Sequence, residues 1–138
     1  MPATIPFKLI TPTKVVFEGD ADLVIAVTTE GEEGILAHHA PFLSALKPGV
    51  LRANIVENGA PRRLELATSD GFMQALPDGV TVLVDDALAF EDVDVAATRT
   101  ELSEATERHK SAADPMAAAR EQAIIDFANA KLRLTGHH

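Results

Sequence analysis

The 138-residue sequence contains no cysteine, tryptophan or tyrosine. The lack of cysteine excludes disulfides, thiolate metal sites and cysteine nucleophiles, and it fits a reducing compartment. Phenylalanine supplies all of the 4% aromatic content, so few side chains are available to stack on a base, a sugar or a flat cofactor. We therefore expect no cofactor and no nucleic-acid site that depends on stacking.

Basic residues are also scarce, because 12 Lys and Arg stand against 21 Asp and Glu and give a formal net charge of -9. This balance disfavours attraction to nucleic acid or to an anionic membrane. No apolar run approaches the roughly 20 residues that span a bilayer. Residues 1–10 contain two prolines and lack the pattern of a signal peptide. The sequence predicts a soluble, unprocessed chain whose partners are proteins or basic patches.

The first 90 residues consist of short runs rich in Val, Ile, Leu and Thr, interrupted about every ten residues by Gly, Pro, Asn or Asp. This pattern is typical of antiparallel strands joined by tight turns, and Asn58-Gly59 is the sharpest turn signal. Alternation predicts that Leu23, Ile25 and Val27 point inward. The candidate strands are 5–10, 15–17, 21–29, 34–36, 42–46, 49–56, 63–68, 71–75 and 80–84.

The rest of the chain has a helical pattern. Residues 92–134 are rich in alanine, lack glycine and contain a single proline, Pro115, which indicates two helices with one break. We expect Asp92 to cap the first helix, Asp114 with Pro115 to begin the second, and Gly136 to end it. The sequence thus predicts an α+β fold, with an antiparallel β-sandwich followed by an antiparallel two-helix hairpin.

The two predicted domains are residues 1–90 and residues 91–138, and each helix has one apolar seam at alternating three- and four-residue spacing. Only Val95 and Leu102 are large in the first seam, so their burial contributes a few kcal/mol at about 1.5 to 3 kcal/mol each. A weakly docked, movable hairpin and a static appendage are both compatible with this. The predicted seams are Val95, Thr98, Leu102, Ala105 and His109, then Met116, Ala119, Ala123, Phe127, Ala130 and Leu134.

Residue patterns that carry catalysis are missing. The segment Gly31-Glu32-Glu33-Gly34 is not followed by Gly-Lys-Ser/Thr, and its carboxylates would repel phosphate. The adjacent histidines His38 and His39 would point to opposite faces of a strand and have no third metal ligand at a suitable spacing. Acidic pairs such as Asp85-Asp86 are more typical of solvated turns than of acid/base catalysis. We predict a binding or coupling module that is not an enzyme and holds no metal.

One segment contains a motif that is specific enough to indicate a protein family. Residues 30–52 contain Gly31-Glu32-Glu33-Gly34-Ile35, then His39-Ala40-Pro41, a hydrophobic strand and Lys47-Pro48-Gly49. This order closely resembles the epsilon subunit of F-type ATP synthases, as do Ser69-Asp70-Gly71-Phe72 and the strand Val80-Thr81-Val82-Leu83-Val84. The resemblance implies about ten strands followed by two helices.

The same resemblance implies a non-catalytic rotor subunit in the central stalk. Such a subunit joins the gamma subunit to the membrane-embedded ring of c subunits, so that rotation driven by proton or sodium flow reaches the catalytic head. It associates with the membrane only through the complex, on the cytoplasmic face of a bacterial inner membrane or its organellar equivalent. A small-molecule-binding β-sandwich is the alternative, and an acid/base enzyme is weaker still.

The resemblance also assigns residues. Glu32, supported by Glu30 on a turn bounded by Gly31, matches the acidic position that contacts the c-ring, although an ordinary charged hairpin tip would have the same composition. Thr11, His39 and Ser44 match positions that face the gamma subunit, although His39 alone is equally compatible with a structural histidine. His38 stands where the family usually has glycine, which predicts a different backbone angle before Ala40-Pro41.

The helices depart further from the family. In many members they extend towards the alpha/beta catalytic head and inhibit ATP hydrolysis, and some members bind ATP through an Asp-x-x-Arg motif in the first helix. Here Asp94 is present, but Ala97 stands in place of the arginine, and Arg99 lies about 140° around the helix from Asp94. We predict weak or absent ATP binding. Inhibition by basic helix residues and a merely solvated charged surface both remain open.

Overall fold

The computed structural model describes residues 3–136, in which nine strands form a β-sandwich and two helices follow. The predicted α+β fold is confirmed, and the final two residues of the predicted hairpin segment lie outside the described range. The strands are β1 (Ile5–Thr11), β2 (Lys14–Thr28), β3 (Gly31–Leu36), β4 (Phe42–Leu46), β5 (Gly49–Glu57), β6 (Ala60–Thr68), β7 (Gly71–Leu76), β8 (Gly79–Val84) and β9 (Ala87–Leu88). The helices are α1 (Val95–Lys110) and α2 (Pro115–Leu134).

Strand pairing produces two layers that share β2. The N-terminal half of β2 pairs with β1, and the same layer continues from β1 through β8 and β7 to β4. The C-terminal half of β2 pairs with β3 on one side and with β5 on the other, and β6 and β9 extend the second layer. Every pairing is antiparallel except β1 with β8, which is parallel. A parallel pair needs a long connection, and strands β2 to β7 provide it here.

The long strand β2 corrects two sequence predictions. Residues 15–17 and 21–29 were predicted as separate strands, but Gly19 pairs with Phe7 inside one continuous strand. The pairing with β5 slips between Ala21 and Leu23, which leaves an extra residue in β2, a β-bulge. A bulge reverses the alternation beyond it, so Val24, Ala26 and Thr28 are buried, and the prediction that Leu23, Ile25 and Val27 point inward is wrong.

Large apolar side chains from both layers fill the space between them. The fully buried ones include Phe7, Leu9, Ile35, Leu51 and Met73. Phe7 also packs against Phe17, with ring centroids 5.5 Å apart. The predicted Asn58-Gly59 turn is confirmed by positive φ values of 53° and 78°, the backbone that a two-residue hairpin requires.

The helix boundaries follow their caps. Asp114 accepts a hydrogen bond from the Ala117 N–H at 2.8 Å, so α2 begins as predicted, and Gly136 ends it with a φ of 77°. Asp92 is not the first cap, because it lies in a short 3-10 helix. Asp94 caps α1 instead and accepts a hydrogen bond from the Ala97 N–H at 3.0 Å.

Helix α2 packs on the outer surface of β5 and β6, and α1 packs mainly on α2. The first predicted seam is confirmed, with Thr98 and Ala105 fully buried. The second is partly wrong, because Met116 and Ala119 are exposed and Ala128, Lys131 and Leu132 are buried. A helix that contacts both a sheet and another helix buries a wider surface than one seam. Within residues 3–136, neither helix is long and apolar enough to cross a membrane.

Candidate functional site

The β2–β3 hairpin forms an acidic tip. Its turn is Thr29-Glu30, and Gly31 begins β3 with a φ of 116°, a conformation that favours glycine. The Thr28 hydroxyl donates to the Gly31 carbonyl at 2.7 Å and accepts from the Glu30 N–H at 3.1 Å. These bonds hold the turn in one geometry, and Glu30, Gly31 and Glu32 are all exposed.

Glu32 is fixed by an arginine. Glu32 of β3 pairs with Val27 of β2, and the Glu32 side chain lies on the outer face of the second layer. The Arg52 Nη2 of β5 donates to the Glu32 Oε2 at 2.6 Å, so a charged hydrogen bond crosses over β2. The predicted tip carboxylate is therefore held against the body of the sandwich.

The first layer has an apolar outer surface. Pairing places Ala45, Phe72, Leu83, Ile10 and Val15 in one continuous row across five strands. Phe72 is 56% exposed and Leu83 is 46% exposed, and Leu43 in the neighbouring row is 69% exposed. Leu43 is on the same face as these five residues, and we call all six together the apolar row: Leu43, Ala45, Phe72, Leu83, Ile10 and Val15. Contiguous exposed apolar side chains of this kind mark interaction surfaces.

The three residues predicted to face the gamma subunit are not brought together. The parallel pairing puts Thr11 one residue beyond Ile10 and Leu83, at the end of the layer. Ser44 pairs with Met73 in the middle of β4. His39 precedes β4, beyond the opposite end of the layer. These residues do not form one cluster, and Ser44 is on the inner face of the layer, beside the buried Met73 and opposite to the apolar row.

Each of these three side chains makes a hydrogen bond to a backbone carbonyl nearby in the sequence. The Thr11 hydroxyl donates to the Lys14 carbonyl at 3.4 Å, and the Ser44 hydroxyl donates to the Ala45 carbonyl at 3.4 Å. His39 Nδ1 donates to the Leu36 carbonyl at 2.9 Å, while its Nε2 is buried with no hydrogen-bond partner among the described residues. His38 has a φ of 68°, a left-handed backbone that glycine adopts more easily than histidine, so this turn carries some strain.

Sequence reasoning missed the apolar row and Arg52. The signal for the row was present, because β4, β7 and β8 have apolar residues on both faces, as in Phe72-Met73 and Val82-Leu83-Val84. Strands that are apolar on both faces indicate burial on both faces. No comparable signal existed for Arg52, which is 20 residues from Glu32 and meets it only through the order of the strands.

Asp94 and Ala97 lie together at the start of α1. The Asp94 carboxylate caps the backbone N–H of Ala97 itself, and its backbone carbonyl accepts from the Thr98 hydroxyl at 2.7 Å. The residue that matches the family's nucleotide motif therefore has a structural role here. Among residues 3–136, no group of three or more His, Cys, Asp or Glu side chains could hold a metal ion.

The helical hairpin carries a buried charge at Lys131. Lys131 is only 8% exposed, and its Nζ donates to the Glu101 Oε1 of α1 at 2.9 Å. The same Nζ lies 4.7 Å from the centroid of the Phe127 ring. Arg108 of α1 also donates to Glu121 of α2 at 2.8 Å. These ion pairs join the two helices to each other.

Comparison with known proteins identifies the family. The family described as "ATP synthase, Delta/Epsilon chain, beta-sandwich domain" matches residues 4–90. The chain is 35% identical to the ATP synthase epsilon chain of Chromobacterium violaceum, over 91% of this chain and 89% of that one. This chain belongs to the ATP synthase epsilon-chain family. The suspected relationship to the epsilon subunit is thereby confirmed.

Other epsilon-chain relatives cover the helices as well. The epsilon chain of Syntrophobacter fumaroxidans is 36% identical, over 97% of both chains. A chain in the solved structure of the Euglena gracilis mitochondrial ATP synthase, OSCP/F1/c-ring, has the same fold, with a TM-score of 0.78 and 22% identity. That match covers 99% of this chain and 84% of the other. The epsilon-chain relationship thus extends from the sandwich through α2.

Proposed function

We propose that this chain is a non-catalytic rotor subunit of an F-type ATP synthase, which couples the gamma subunit to the c-ring. The observation that carries the proposal is the pair of separate surfaces on one sandwich, the acidic tip and the apolar row. The tip lies on the β2–β3 hairpin, and the row crosses the outer face of the first layer. A body that transmits torque between two partners needs both surfaces and a rigid connection between them.

The acidic tip is the proposed c-ring contact. Glu30 and Glu32 present carboxylates at a turn whose backbone is fixed by Thr28 and Gly31. Carboxylates at a rigid turn suit polar or basic groups on the loops of a ring, because the charges need no reorganisation on contact. The relatives' names, which assign them to the ATP synthase, support a role in that complex.

The apolar row is the proposed gamma contact, with Thr11 and His39 at the two ends of the same layer and Ser44 within it. Leu43, Phe72 and Leu83 are exposed in the isolated chain, and burying each of them would favour a complex. No helix covers this surface among the described residues, because α2 packs on β5 and β6 in the other layer.

The test is binding to a purified gamma subunit. Burial of a phenylalanine contributes about 1.5 to 3 kcal/mol, so Phe72→Ser should weaken gamma binding roughly 10- to 100-fold. Met116→Ser is the matched control, since Met116 is 72% exposed on α2, far from the row. Equal affinities for both variants would remove the apolar row from the gamma interface. A chain that ignores gamma but is stabilised by a metabolite would favour the small-molecule-binding sandwich.

We also propose that the chain joins the membrane only through the assembled complex, on the cytoplasmic face of a bacterial inner membrane or its organellar equivalent. The excess of acidic residues supports this, because anionic lipid would repel the chain. Fractionation checks the proposal. The chain should sediment with membranes that contain the synthase and should not bind vesicles of anionic lipid alone.

Inhibition of ATP hydrolysis by the helices is a second candidate function. It is supported by exposed basic side chains on both helices, among them Arg99, Lys110 and Arg120, which are available to acidic surfaces of the catalytic head. Deletion of residues 91–138 tests it in the assembled enzyme. A higher ATPase rate after deletion supports inhibition, and an unchanged rate rejects it.

ATP itself is not expected to bind tightly. Asp94 caps α1, and Ala97 supplies no guanidinium at the matching position. Calorimetry on the isolated chain should give weak or no binding. A dissociation constant at or below cellular ATP would contradict this.

A further inference from the structure

We propose that Arg52 is a positioning residue, which fixes the Glu32 carboxylate in the direction needed for the c-ring contact. The proposal rests on the function proposed above for the acidic tip. It concerns a residue on β5, a strand that forms no part of the tip itself.

The geometry of the pair is specific. Arg52 pairs with Ile25 of β2, and Ile25 pairs with Gly34 of β3, so these three residues form one row. Neighbouring strands are about 4.8 Å apart, which makes β5 and β3 roughly 10 Å apart across β2. The Arg52 side chain crosses β2 diagonally to reach Glu32, and Gly34 has no side chain on that face to obstruct it.

The ion pair is exposed, so its contribution to folding stability is small. Side-chain exposure is 31% for Arg52 and 57% for Glu32, and water screens such pairs. Its effect on binding is different in kind. A free glutamate loses rotamer freedom when it binds a partner, whereas a glutamate already held by Arg52 has lost that freedom in advance. Preorganisation of one such side chain is worth about three- to tenfold in affinity.

The pair leaves the carboxylate available. The hydrogen bond uses Oε2 of Glu32, and more than half of the side chain remains exposed. A cationic or hydrogen-bond-donating group of a partner therefore has access to the other oxygen. Arg52 thus orients the carboxylate, and Glu32 itself makes the contact with the partner.

Arg133 of α2 supplies a matched control for Arg52. It lines the same cavity of about 470 Å³ as Glu32 and Arg52, together with Val27 and Val50. The hydrogen-bonded ion pair of Glu32 is made with Arg52. Removing either arginine changes the charge of the cavity equally, but only Arg52→Gln removes the bond that orients Glu32.

The experiment uses the assembled synthase. Glu32→Gln, Arg52→Gln, Arg52→Lys, the double variant of Glu32→Gln with Arg52→Gln, and Arg133→Gln are compared for retention of the c-ring by the central stalk in detergent. Ion-driven ATP synthesis is measured on the same variants in membrane vesicles. We expect Glu32→Gln and Arg52→Gln each to weaken retention, with Arg52→Gln lowering it about three- to tenfold. Arg52→Lys should restore part of the loss, and Arg133→Gln should match the unmodified enzyme.

The double variant separates positioning from an independent role. If Arg52 acts through Glu32, the double variant is no weaker than Glu32→Gln alone. Additive losses would overturn the proposal, and so would equal behaviour of Arg52→Gln and Arg133→Gln. If Glu32→Gln itself has no effect, the tip has no role at the c-ring, and the function proposed for the tip fails together with this inference.

Thermal unfolding of the full chain distinguishes a folding defect. Arg52→Gln and Arg133→Gln should unfold at similar temperatures, since both side chains are partly exposed. A large destabilisation confined to Arg52→Gln, together with equal loss in Arg52→Lys, would overturn the positioning role in favour of a structural one.

Discussion

The sandwich and the helical hairpin are stabilised in different ways. The sandwich buries large side chains such as Phe7, Leu9 and Met73 between two layers of paired strands. The fully buried side chains of the hairpin are mostly small, as at Ala105, Ala128 and Ala130. Burial of apolar area scales with side-chain size, so docking of the helices contributes much less free energy than closing the sandwich.

This difference fits the two tasks proposed for the chain, coupling and regulation. A coupling body must keep its shape under torque, and the sandwich is cross-linked by backbone hydrogen bonds between strands distant in sequence. A regulatory element must change position at modest cost, and α1 reaches the sandwich mainly through α2. That the hairpin undocks readily remains a prediction, and the following substitutions measure the contrast.

The largest effect is expected in the sandwich core. Phe7→Ala removes a side chain that is fully buried and packed against Phe17, so it should lower the free energy of unfolding by about 3 to 5 kcal/mol. Urea denaturation of the full chain measures this. Phe90→Ala, at an exposed position, should change it by about 0.5 kcal/mol or less. Similar losses in both variants would contradict the layered core.

A smaller and local effect is expected in the hairpin. Leu132 is the largest fully apolar side chain buried on α2, and Leu132→Ala should weaken docking by about 2 to 3 kcal/mol. Hydrogen exchange should then speed up across α1 and α2 but not in β7 and β8. Faster exchange throughout the sandwich would show that the two regions unfold as one unit.

Breaking the Lys131–Glu101 ion pair between the helices should have an intermediate effect on the stability of the hairpin. Glu101→Gln removes the charge that compensates the buried Lys131, and we expect a loss of about 1 to 2 kcal/mol, limited by the exposure of Glu101. Glu107→Gln is the control, because its pair with Lys110 is exposed. Thermal unfolding of the hairpin, followed by helical circular dichroism, compares the two. Equal shifts would mean that burial of Lys131 has no energetic consequence.

The smallest effect concerns the start of α2. Asp114→Ala removes the acceptor for the Ala117 N–H and should cost about 1 kcal/mol of helix stability. Asp114→Asn retains an acceptor and should recover most of that loss. Circular dichroism and hydrogen exchange at residues 115–118 measure both variants. A loss in Asp114→Asn as large as in Asp114→Ala would contradict the capping role.

The sequence was sufficient for the fold because turn signals and helix caps act locally. Asn58-Gly59 and Asp114-Pro115 are such signals, and both are confirmed. The continuous strand β2 was not predictable, because a bulge near Asp22 and the passage between layers depend on pairing with β1 and β5. Asp94 took the capping position expected of Asp92, since a 3-10 helix intervened.

The candidate site was predictable only in part. The acidic tip follows from the motif around Glu32, but its hydrogen bond to Arg52 arises from strand order. The apolar row likewise emerges only when β4, β7, β8 and β1 are placed side by side. The assignments of Thr11, His39 and Ser44 remain predictions.

The central claim is that one rigid sandwich turns together with both the gamma subunit and the c-ring. Photo-crosslinking from positions 30 and 43 in the assembled enzyme tests it most directly, since Glu30 is at the tip and Leu43 is exposed on the apolar surface. We expect capture of a c subunit from position 30 and of gamma from position 43. Ion-driven ATP synthesis should survive both crosslinks, because parts that rotate together need no relative movement. Crosslinks to the stationary head, or loss of synthesis when the sandwich is joined to gamma or the c-ring, would contradict the account.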